Sequence, residues 1–543
     1  MTVAATDEQK RAALRQGQAL HFSHHAGEKE RTIQANWIRE LATTAENKFH
    51  VPIDIRNAII EGELKLHNAT FEGGFCIVGS WFKSDVDFSF STFGRSANFM
   101  ASSFQKADFT GAHIANDADF RGAQFAGKAG FDRLQLAGGA FFGTYDNGQR
   151  TQFGDDATFY DARIGANTDF NGAVFLGKAG FDRVHIEGNA FFSTDGHNNR
   201  VSFGGTVTWC DAQIEGPADF RGAQFAQGAY FDRIHVNGEA IFHADGDDTR
   251  PQAIHNPTVF SGDTRFDNAH FEHGCSFKSA QFAQSASFIS AVTERKASFV
   301  GAVFGGLANF SDAKFSITRF RAELIRKAPL GEPQFHGRTD VRGFTYDRFY
   351  GAWEEVLTRT VVYDRQPFTQ MEKVLRTSGL DEEADAVYYE QRRREGNLIP
   401  LKRLHSRLWD WAYRLLAGYG VRGWRLLVIF LLLLLAGSFV FHRDGALIKK
   451  AEAKSGVSAK VESSPEVVHG VRAIDAFCVS LRLLVRLEIP TGSSLSPSEN
   501  SLAQRIPMRY SMYATVHMIA GWLLLPFVAA SIAKRFGRRG GSE

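Results

Sequence analysis

The sequence predicts a mainly β solenoid, followed by a helical hairpin and two transmembrane helices. Three observations lead to this fold class: a block that recurs three times, a finer period of five residues, and two long apolar runs near the end of the chain. The recurring block begins at Phe131, Phe181 and Phe231, so its copies lie 50 residues apart. A repeat of this length indicates stacked structural units rather than one ordinary core.

Within the repeat region, large apolar residues follow one another in steps of five. Phe99, Phe104 and Phe109 have this spacing, and a small residue such as Ala97 or Ala107 stands two positions earlier. Five is neither the helical period of 3.6 nor the strand period of 2. A chain with this period turns a corner every five residues and buries one large and one small side chain at each. Four corners close a square coil of about twenty residues, which stacks on the next coil.

Individual units of the repeat have the form Ala-Asp/Asn-Phe-x-x. Examples lie at 107–111 and 118–122, and Leu136 and Phe141 are assigned as one further five-residue step. These units resemble pentapeptide-repeat proteins over 51–325, about half of the chain. The resemblance implies a right-handed quadrilateral β-helix, in which each square coil contributes one strand to each of four walls.

Three polar loops interrupt the repeat, one in each 50-residue copy, at 144–152, 193–202 and 243–252. Because they recur after whole coils, we expect them to project from one side, where loops on a rigid scaffold commonly bind partners. Their Asp residues do not follow the twelve-residue calcium-loop pattern, so neither a metal site nor another cofactor is expected. The candidate recognition residues are Asp146, Asp195, His197, Asp245, Asp247 and Asp248.

Changes in composition, and Pro and Gly residues at the ends of helices, divide the rest of the chain into segments. Apolar Ile33, Trp37 and Ile38 at helical spacing predict a helix over 32–41 that would cover the open end of the solenoid. Pro367 is expected to open a later helix, and Gly379 to end it. The predicted segments are a helical N-terminal cap (1–50), the β-helix (51–325), a helical-hairpin linker (326–400), an interfacial amphipathic helix rich in bases, Trp and Tyr (401–423), transmembrane helix 1 (424–441), an external loop (442–509) with a re-entrant pore-type helix (471–490), transmembrane helix 2 (510–533) and a basic cytoplasmic tail (534–543).

Two apolar runs are long enough to cross a bilayer. Residues 426–441 are continuously apolar, and residues 511–533 contain no Asp, Glu, Lys or Arg. Basic residues flank the pair: residues 326–543 hold 32 Lys and Arg against 22 Asp and Glu. By the positive-inside rule both flanks face the cytoplasm. The N-terminus lacks the apolar core of a signal peptide, so both termini and the solenoid are expected to be cytoplasmic.

The stretch between the runs contains an amphipathic segment, 474–487, followed by a turn with Pro and Gly. A span, a short helix, a turn and a second span form the layout of two-helix cation channels, although the T-x-G-Y-G filter is missing. The alternative is a plain anchor whose external loop packs as an amphipathic helix. His517 is the one titratable side chain within either run, and its alternative explanation is nearness to the membrane interface. The candidate pore and mouth residues are Arg482, Arg486, Pro490, Thr491, Gly492 and His517.

Function is expected to be non-enzymatic, because the sequence lacks G-x-S-x-G, the phosphate-binding G-x-x-x-x-G-K-S/T and H-E-x-x-H. The chain also resembles bacterial pentapeptide-repeat membrane proteins that end in a two-span hairpin, which implies the bacterial inner membrane. Three functions stay open: a cytoplasmic sensing or protein-binding solenoid on a hairpin that forms an ion-conducting pore, an anchored scaffold without conduction, and a topoisomerase-binding DNA mimic. The expected partners are the lipid bilayer, further copies of the chain and a cytoplasmic protein; nucleic acid is not expected.

Overall fold

The structure is a computed structural model that comprises two compact units, Met1–Ala384 and Asp385–Glu543. The first unit holds the repeat region, and the second holds the apolar helices. The residues that the structure describes are 6–41, 47–244, 256–319, 334–351, 353–449, 466–485, 495–503 and 506–537.

The first unit is a solenoid of parallel strands that runs from Leu20–His21 to Thr345–Tyr350, and its described residues form sheets of 24, 12 and 13 strands. Each strand pairs in parallel with its equivalent one coil later, as Ala107 does with Ala129. The largest sheet supplies two walls, so every coil has four. The predicted fold class is therefore confirmed. One representative coil contains Ser103–Phe104 (wall 1), Ala107–Asp108 (wall 2), His113–Ile114 (wall 3) and Ala118–Asp119 (wall 4).

Columns of stacked rings fill the interior. Along wall 1, eleven Phe rings from Phe82 to Phe335 stack with centroids 4.6–5.0 Å apart. This spacing follows from the strand separation of about 4.8 Å, which places each ring directly over its equivalent in the neighbouring coil. Phe131, Phe181 and Phe231 lie together in the column of wall 2, and all three are buried. Their predicted inward position on one wall is confirmed.

The period of five holds at only two of the four corners in most coils. From Phe120 the inward residues are Phe125, Phe131, Leu136 and Phe142, which gives steps of five, six, five and six. The assignment of Phe141 as an inward residue was therefore wrong: Phe142 is fully buried, while Phe141 is half-buried on the outside.

The backbone explains why the two corner lengths differ. In the five-residue corners after Phe120 and Phe131, Gly122 and Arg133 adopt left-handed φ values of 72° and 54°. This conformation tightens the turn but is uncommon for a residue with a side chain. The six-residue corner from Phe125 to Phe131 contains no such residue. In this coil an extra residue thus takes the place of one in the left-handed conformation.

Strands of the N-terminal segment extend the solenoid upstream of residue 51. Thr32–Gln34 pairs in parallel with Ile59–Glu61, so the helix predicted over 32–41 is replaced by a strand followed by a short helix. The pairing satisfies backbone groups at the first edge, which an amphipathic helix would leave open. The helices of this segment are α1 (Asp7–Arg15), α2 (Glu28–Arg31) and α3 (Ala35–Arg39).

The repeat also continues past residue 325. Gln334–Phe335, Thr339–Asp340 and Thr345–Tyr350 add strands to all three sheets. Helix α4 (Trp353–Leu357) precedes α5 (Arg365–Thr377), whose buried face includes Phe368, Met371, Val374 and Leu375. Sequence periodicity placed the boundary too early because the last coil is not built from regular five-residue units.

Side-chain amides of α5 bind the backbone of the final coil. Gln370 Nε2 donates to the carbonyl of Tyr346 at 2.7 Å, and Gln366 Nε2 donates to that of Phe344 at 3.2 Å. Gln366 Oε1 accepts from the amide of Gly343 at 3.1 Å. These bonds replace the ladder that a further coil would form, so α5 acts as the terminal cap that a solenoid requires.

The second unit contains the apolar helices. Helix α8 (Trp424–Phe441) and residues Tyr510–Ala529 of α10 (Tyr510–Gly537) are each long and apolar enough to cross a membrane. Its short strands form a three-stranded antiparallel sheet (Leu447–Lys449, Glu466–Val467 and Leu495–Pro497) and a hairpin (Ser501–Ala503 and Ile506–Arg509). Its helices are α6 (Asp381–Leu398, which begins in the first unit), α7 (Leu404–Ala417), a 3₁₀ turn (Gly418–Gly420), α8 (Trp424–Phe441), α9 (Ala473–Val485) and α10 (Tyr510–Gly537).

Candidate functional site: the contact of α8, α9 and α10

Helix α9, which occupies the described part of the predicted pore-type segment, packs against both α8 and α10. Its buried residues are Ala476, the adjacent pair Val479 and Ser480, and Leu484; successive turns of the helix thus place them on one face. The opposite side exposes Ile474 and Phe477. The helix thus presents one face to the two long apolar helices and a second apolar surface outward.

Two glycines allow these helices to approach closely. A Cβ atom on Gly437 of α8 would overlap Ser480 Oγ and lie 2.6 Å from His517 Nε2. A Cβ atom on Gly521 of α10 would lie 2.5 Å from the carbonyl oxygen of Leu484. Both distances are below any real contact, so larger residues would force α9 away. Small residues at such crossings are typical of helices that pack within membranes.

A polar contact joins the three helices at this point. Ser480 Oγ of α9 lies 3.0 Å from the carbonyl oxygen of Leu434 in α8 and 3.0 Å from His517 Nε2 in α10. Ser480 is 0% exposed and His517 is 3% exposed. When the single hydroxyl proton is donated to Leu434, the hydroxyl oxygen remains free to accept from the Nε2–H of His517. One serine therefore links both apolar helices.

Aromatic rings hold the imidazole of His517 in this position. The ring stacks with Tyr513 at a centroid distance of 5.6 Å and meets Phe441 edge-on at 6.2 Å. The structure places His517 in the contact between the helices. Sequence reasoning missed Ser480. The signal for it was a small polar residue on the apolar face of an amphipathic segment, together with Gly437 and Gly521 in the runs.

Of the predicted mouth residues, Arg482 lies on the side of α9 that meets the strand Leu495–Pro497. Its Nη2 donates to the carbonyl of Leu495 at 2.6 Å, and the side chain is half-buried. That contact ties α9 to the strand Leu495–Pro497. The remaining candidates lie outside the described residues: Arg486, Pro490, Thr491 and Gly492.

The first two polar loops of the solenoid leave the same corner, between wall 4 and wall 1, two coils apart. The first loop lies between Phe142 and Phe153 and the second between Phe192 and Phe203, which confirms their predicted common side. Of the third loop, 245–255 lie outside the described residues, and with them Asp245, Asp247 and Asp248.

Arginines tie these loops to one another and to the coil between them. Arg150 Nε donates to the carbonyl of Gly172 at 2.5 Å, and its Nη2 donates to the carbonyl of Arg200 at 2.6 Å. Arg200 repeats the pattern one copy later, donating to the carbonyls of Gly222 and Pro257. Burial lowers the pKa of Arg150. The loop bases therefore form a cross-linked edge rather than independent flexible arms.

The candidate recognition residues in these loops have different roles. Asp195 accepts from the backbone N–H groups of His197 (2.9 Å) and Asn199 (2.7 Å) and from the hydroxyl of Thr144. Its oxygens are thus used to fold the loop and to join it to its neighbour. Asp146 and His197 are exposed at the loop tips, where a partner could reach them.

The ionised Asp195 is expected to stabilise the loop edge in a pH-dependent way. Burial opposes ionisation, but hydrogen bonds from Thr144 and Asn199 outweigh it and lower the pKa of Asp195. A carboxyl group whose pKa is lowered by folding stabilises the folded state at pH values above its ordinary pKa. This stability is lost as the pH falls below about 4. As the pH is lowered, the melting temperature of Asp195→Asn should therefore fall less steeply than that of the wild type. Asp146→Asn is the matched control, and equal acid slopes in all three proteins would contradict the role assigned to Asp195.

Comparison with known proteins gives no match: no protein-family model, no curated protein and no solved structure matches the chain.

Proposed function

We propose that the chain is a non-enzymatic pentapeptide-repeat protein of a bacterial inner membrane, whose α8 and α10 span the bilayer and whose hairpin oligomerises into an ion-conducting pore. The observation that supports this most strongly is the buried Ser480, which bonds to α8 and contacts His517 of α10. A short helix fixed to both spans is the arrangement that a pore-type helix needs. The solenoid then serves as a cytoplasmic sensing or protein-binding scaffold.

Conduction requires several copies, because two spans enclose no interior. The described faces of α8 and α10 that point away from α9 carry exposed apolar side chains, among them Leu432, Phe439, Val516 and Leu523. Such faces suit contact with lipid or with further copies of the chain.

The scaffold role of the solenoid is supported by its rigidity. Continuous ring columns and arginine-linked loops hold exposed groups such as Asp146 and His197 at fixed separations. Rigid presentation lowers the ordering cost of binding. A cytoplasmic protein is the proposed partner, and the exposed loop tips are its proposed contact.

Single-channel recording of the purified protein in a planar bilayer tests the pore. We expect discrete current steps from the wild type, and a shift of the reversal potential toward cations in Arg482→Glu, because a positive mouth disfavours cations. Lys449→Glu, the same charge reversal on an exposed strand residue, is the matched control and should shift the potential less. If bilayers that contain a verified oligomer pass no current, the pore is ruled out.

Reporter fusions test the topology. Fusions after Arg394 and after Arg539 should both report a cytoplasmic location.

The second candidate is an anchored scaffold without conduction. One observation favours it: the external strands, α9 and the ends of α8 and α10 bury a shared core within a single chain, including Phe441, Leu447, Val479 and Tyr510. A hairpin that completes its own core does not need further copies to do so. The recording separates the candidates, because only the pore passes current.

A further inference from the structure

Helix α7 has the reverse of the usual amphipathic arrangement. Its apolar residues point away from the unit: Trp409 is 75% exposed and Trp411 is 60% exposed. Leu404, Leu408 and Leu415 are exposed as well, at spacings of four and seven that place them on one face. A surface helix of a soluble protein normally buries this face, so the exposed face requires an apolar environment from outside the unit.

The polar side of α7 is the side fixed to the protein. Asp410 Oδ2 accepts from the hydroxyl of Tyr419 at 2.9 Å, and Tyr419 is buried in the turn before α8. The guanidinium of Arg392 lies over the ring of Tyr419, 5.9 Å from its centroid. The guanidinium of Arg422 lies 4.5 Å from the centroid of Tyr389. The bond between Asp410 and Tyr419 sets the rotation of α7, so the apolar face of the helix cannot turn inward without breaking it.

The basic residues near α7 and the apolar surface that continues into α8 identify what covers the exposed face. Lys402, Arg403 and Arg407 lie at the start of α7, and Arg422 and Arg425 lie at the start of α8. Five bases beside an apolar face complement the anionic head groups of a bilayer. Helix α8, which begins seven residues after α7 ends, exposes Trp424 at its own start, so the apolar surface continues from one helix to the next.

We infer that α7 lies in the plane of an anionic leaflet, with Trp409 and Trp411 at the boundary between head groups and acyl chains. This inference rests on the proposed function only in requiring that α8 enters the same bilayer. The occupant of the face is a lipid surface, and it needs no protein partner. Through Asp410 and Tyr419 the leaflet then fixes the turn from which α8 departs.

Tryptophan quenching in the full-length protein tests the inference. Liposomes contain phosphatidylcholine brominated either near the head group or near the terminal methyl, with or without phosphatidylglycerol. In the wild type, bromines near the head group should quench part of the tryptophan fluorescence. The double variant Trp409→Phe/Trp411→Phe is expected to lack that quenched part. Phosphatidylglycerol should raise that quenched component about twofold, because each base near an anionic surface adds attraction. Trp522→Phe, within α10, is the control for the spans.

Each outcome decides a different claim. If the double variant is quenched like the wild type while Trp522→Phe loses quenched signal, the hairpin is inserted and the inference about α7 is overturned. If none of the tryptophans is quenched, the proposed membrane function fails with it. If Trp409 and Trp411 are unquenched and their substitution lowers the oligomer mass, the face binds a second copy instead of lipid.

A matched charge pair provides a second test. Leu408→Glu places a carboxylate on the exposed apolar face, whereas Ser406→Glu places the same charge on the opposite side of α7. Only Leu408→Glu should abolish shallow quenching of the helix. Equal quenching in both variants would contradict a lipid-facing Leu408.

Discussion

Phe181→Asp is expected to lower the free energy of unfolding of the solenoid by about 4–5 kcal/mol, among the largest effects of a single substitution. Phe181 is 2% exposed and stacks between Phe159 and Trp209, at centroid distances of 4.9 and 4.2 Å. The variant loses both stacking contacts, leaves a cavity, and buries a carboxylate for which the column offers no partner. Chemical denaturation followed by circular dichroism measures the change.

Leu176→Asp is the matched control for that experiment. Leu176 belongs to the same coil but is 55% exposed, so its new carboxylate remains in water. The control should unfold within about 0.5 kcal/mol of the wild type. A Phe181→Asp protein that unfolds at the same denaturant concentration as the control would disprove the inward column. Because coils interact mainly with their neighbours, an early local transition near Phe181 would still support it.

Gly437→Val is expected to separate α9 from α8 and to abolish any conduction. The valine side chain would occupy the space of Ser480 Oγ and the edge of the His517 ring. Relief requires Ser480 to rotate away from Leu434, which breaks the bond that ties α9 to α8. Overpacking of this kind costs about 1–3 kcal/mol, and the lost polar contact adds to it. Unfolding in mild detergent and planar-bilayer recording measure the two consequences.

Ala436→Val adds similar volume one residue earlier, where the side chain is exposed. The protein should unfold and conduct like the wild type, since nothing in the helix contact is displaced. Normal stability and normal currents in Gly437→Val would show that the close contact of α8, α9 and α10 has no functional role. Loss of stability with normal currents would limit that contact to folding.

Much of the candidate site was visible in the sequence, but its central residue was not. His517 stood out as a titratable group in an apolar run, and Arg482 stood out by charge. Ser480 did not, because a serine in an amphipathic segment is unremarkable until a carbonyl and an imidazole are found within 3.0 Å of it. Asp195 was selected as a recognition residue from loop composition, whereas its oxygens prove to be engaged within the loops.

The sequence by itself determined the solenoid, the inward positions of Phe131, Phe181 and Phe231, the common side of the first two loops and the two long apolar helices. These follow from local periodicity, since each coil repeats the same burial pattern and each run has a uniform composition. Only the tertiary structure decided the six-residue corners, the ends of the solenoid and the partners of Ser480. Corner length depends on backbone φ, which the side-chain pattern does not specify, and the ends depend on pairing between distant segments. A contact among three helices likewise arises only when glycines far apart in the chain meet, and no local pattern encodes that distance.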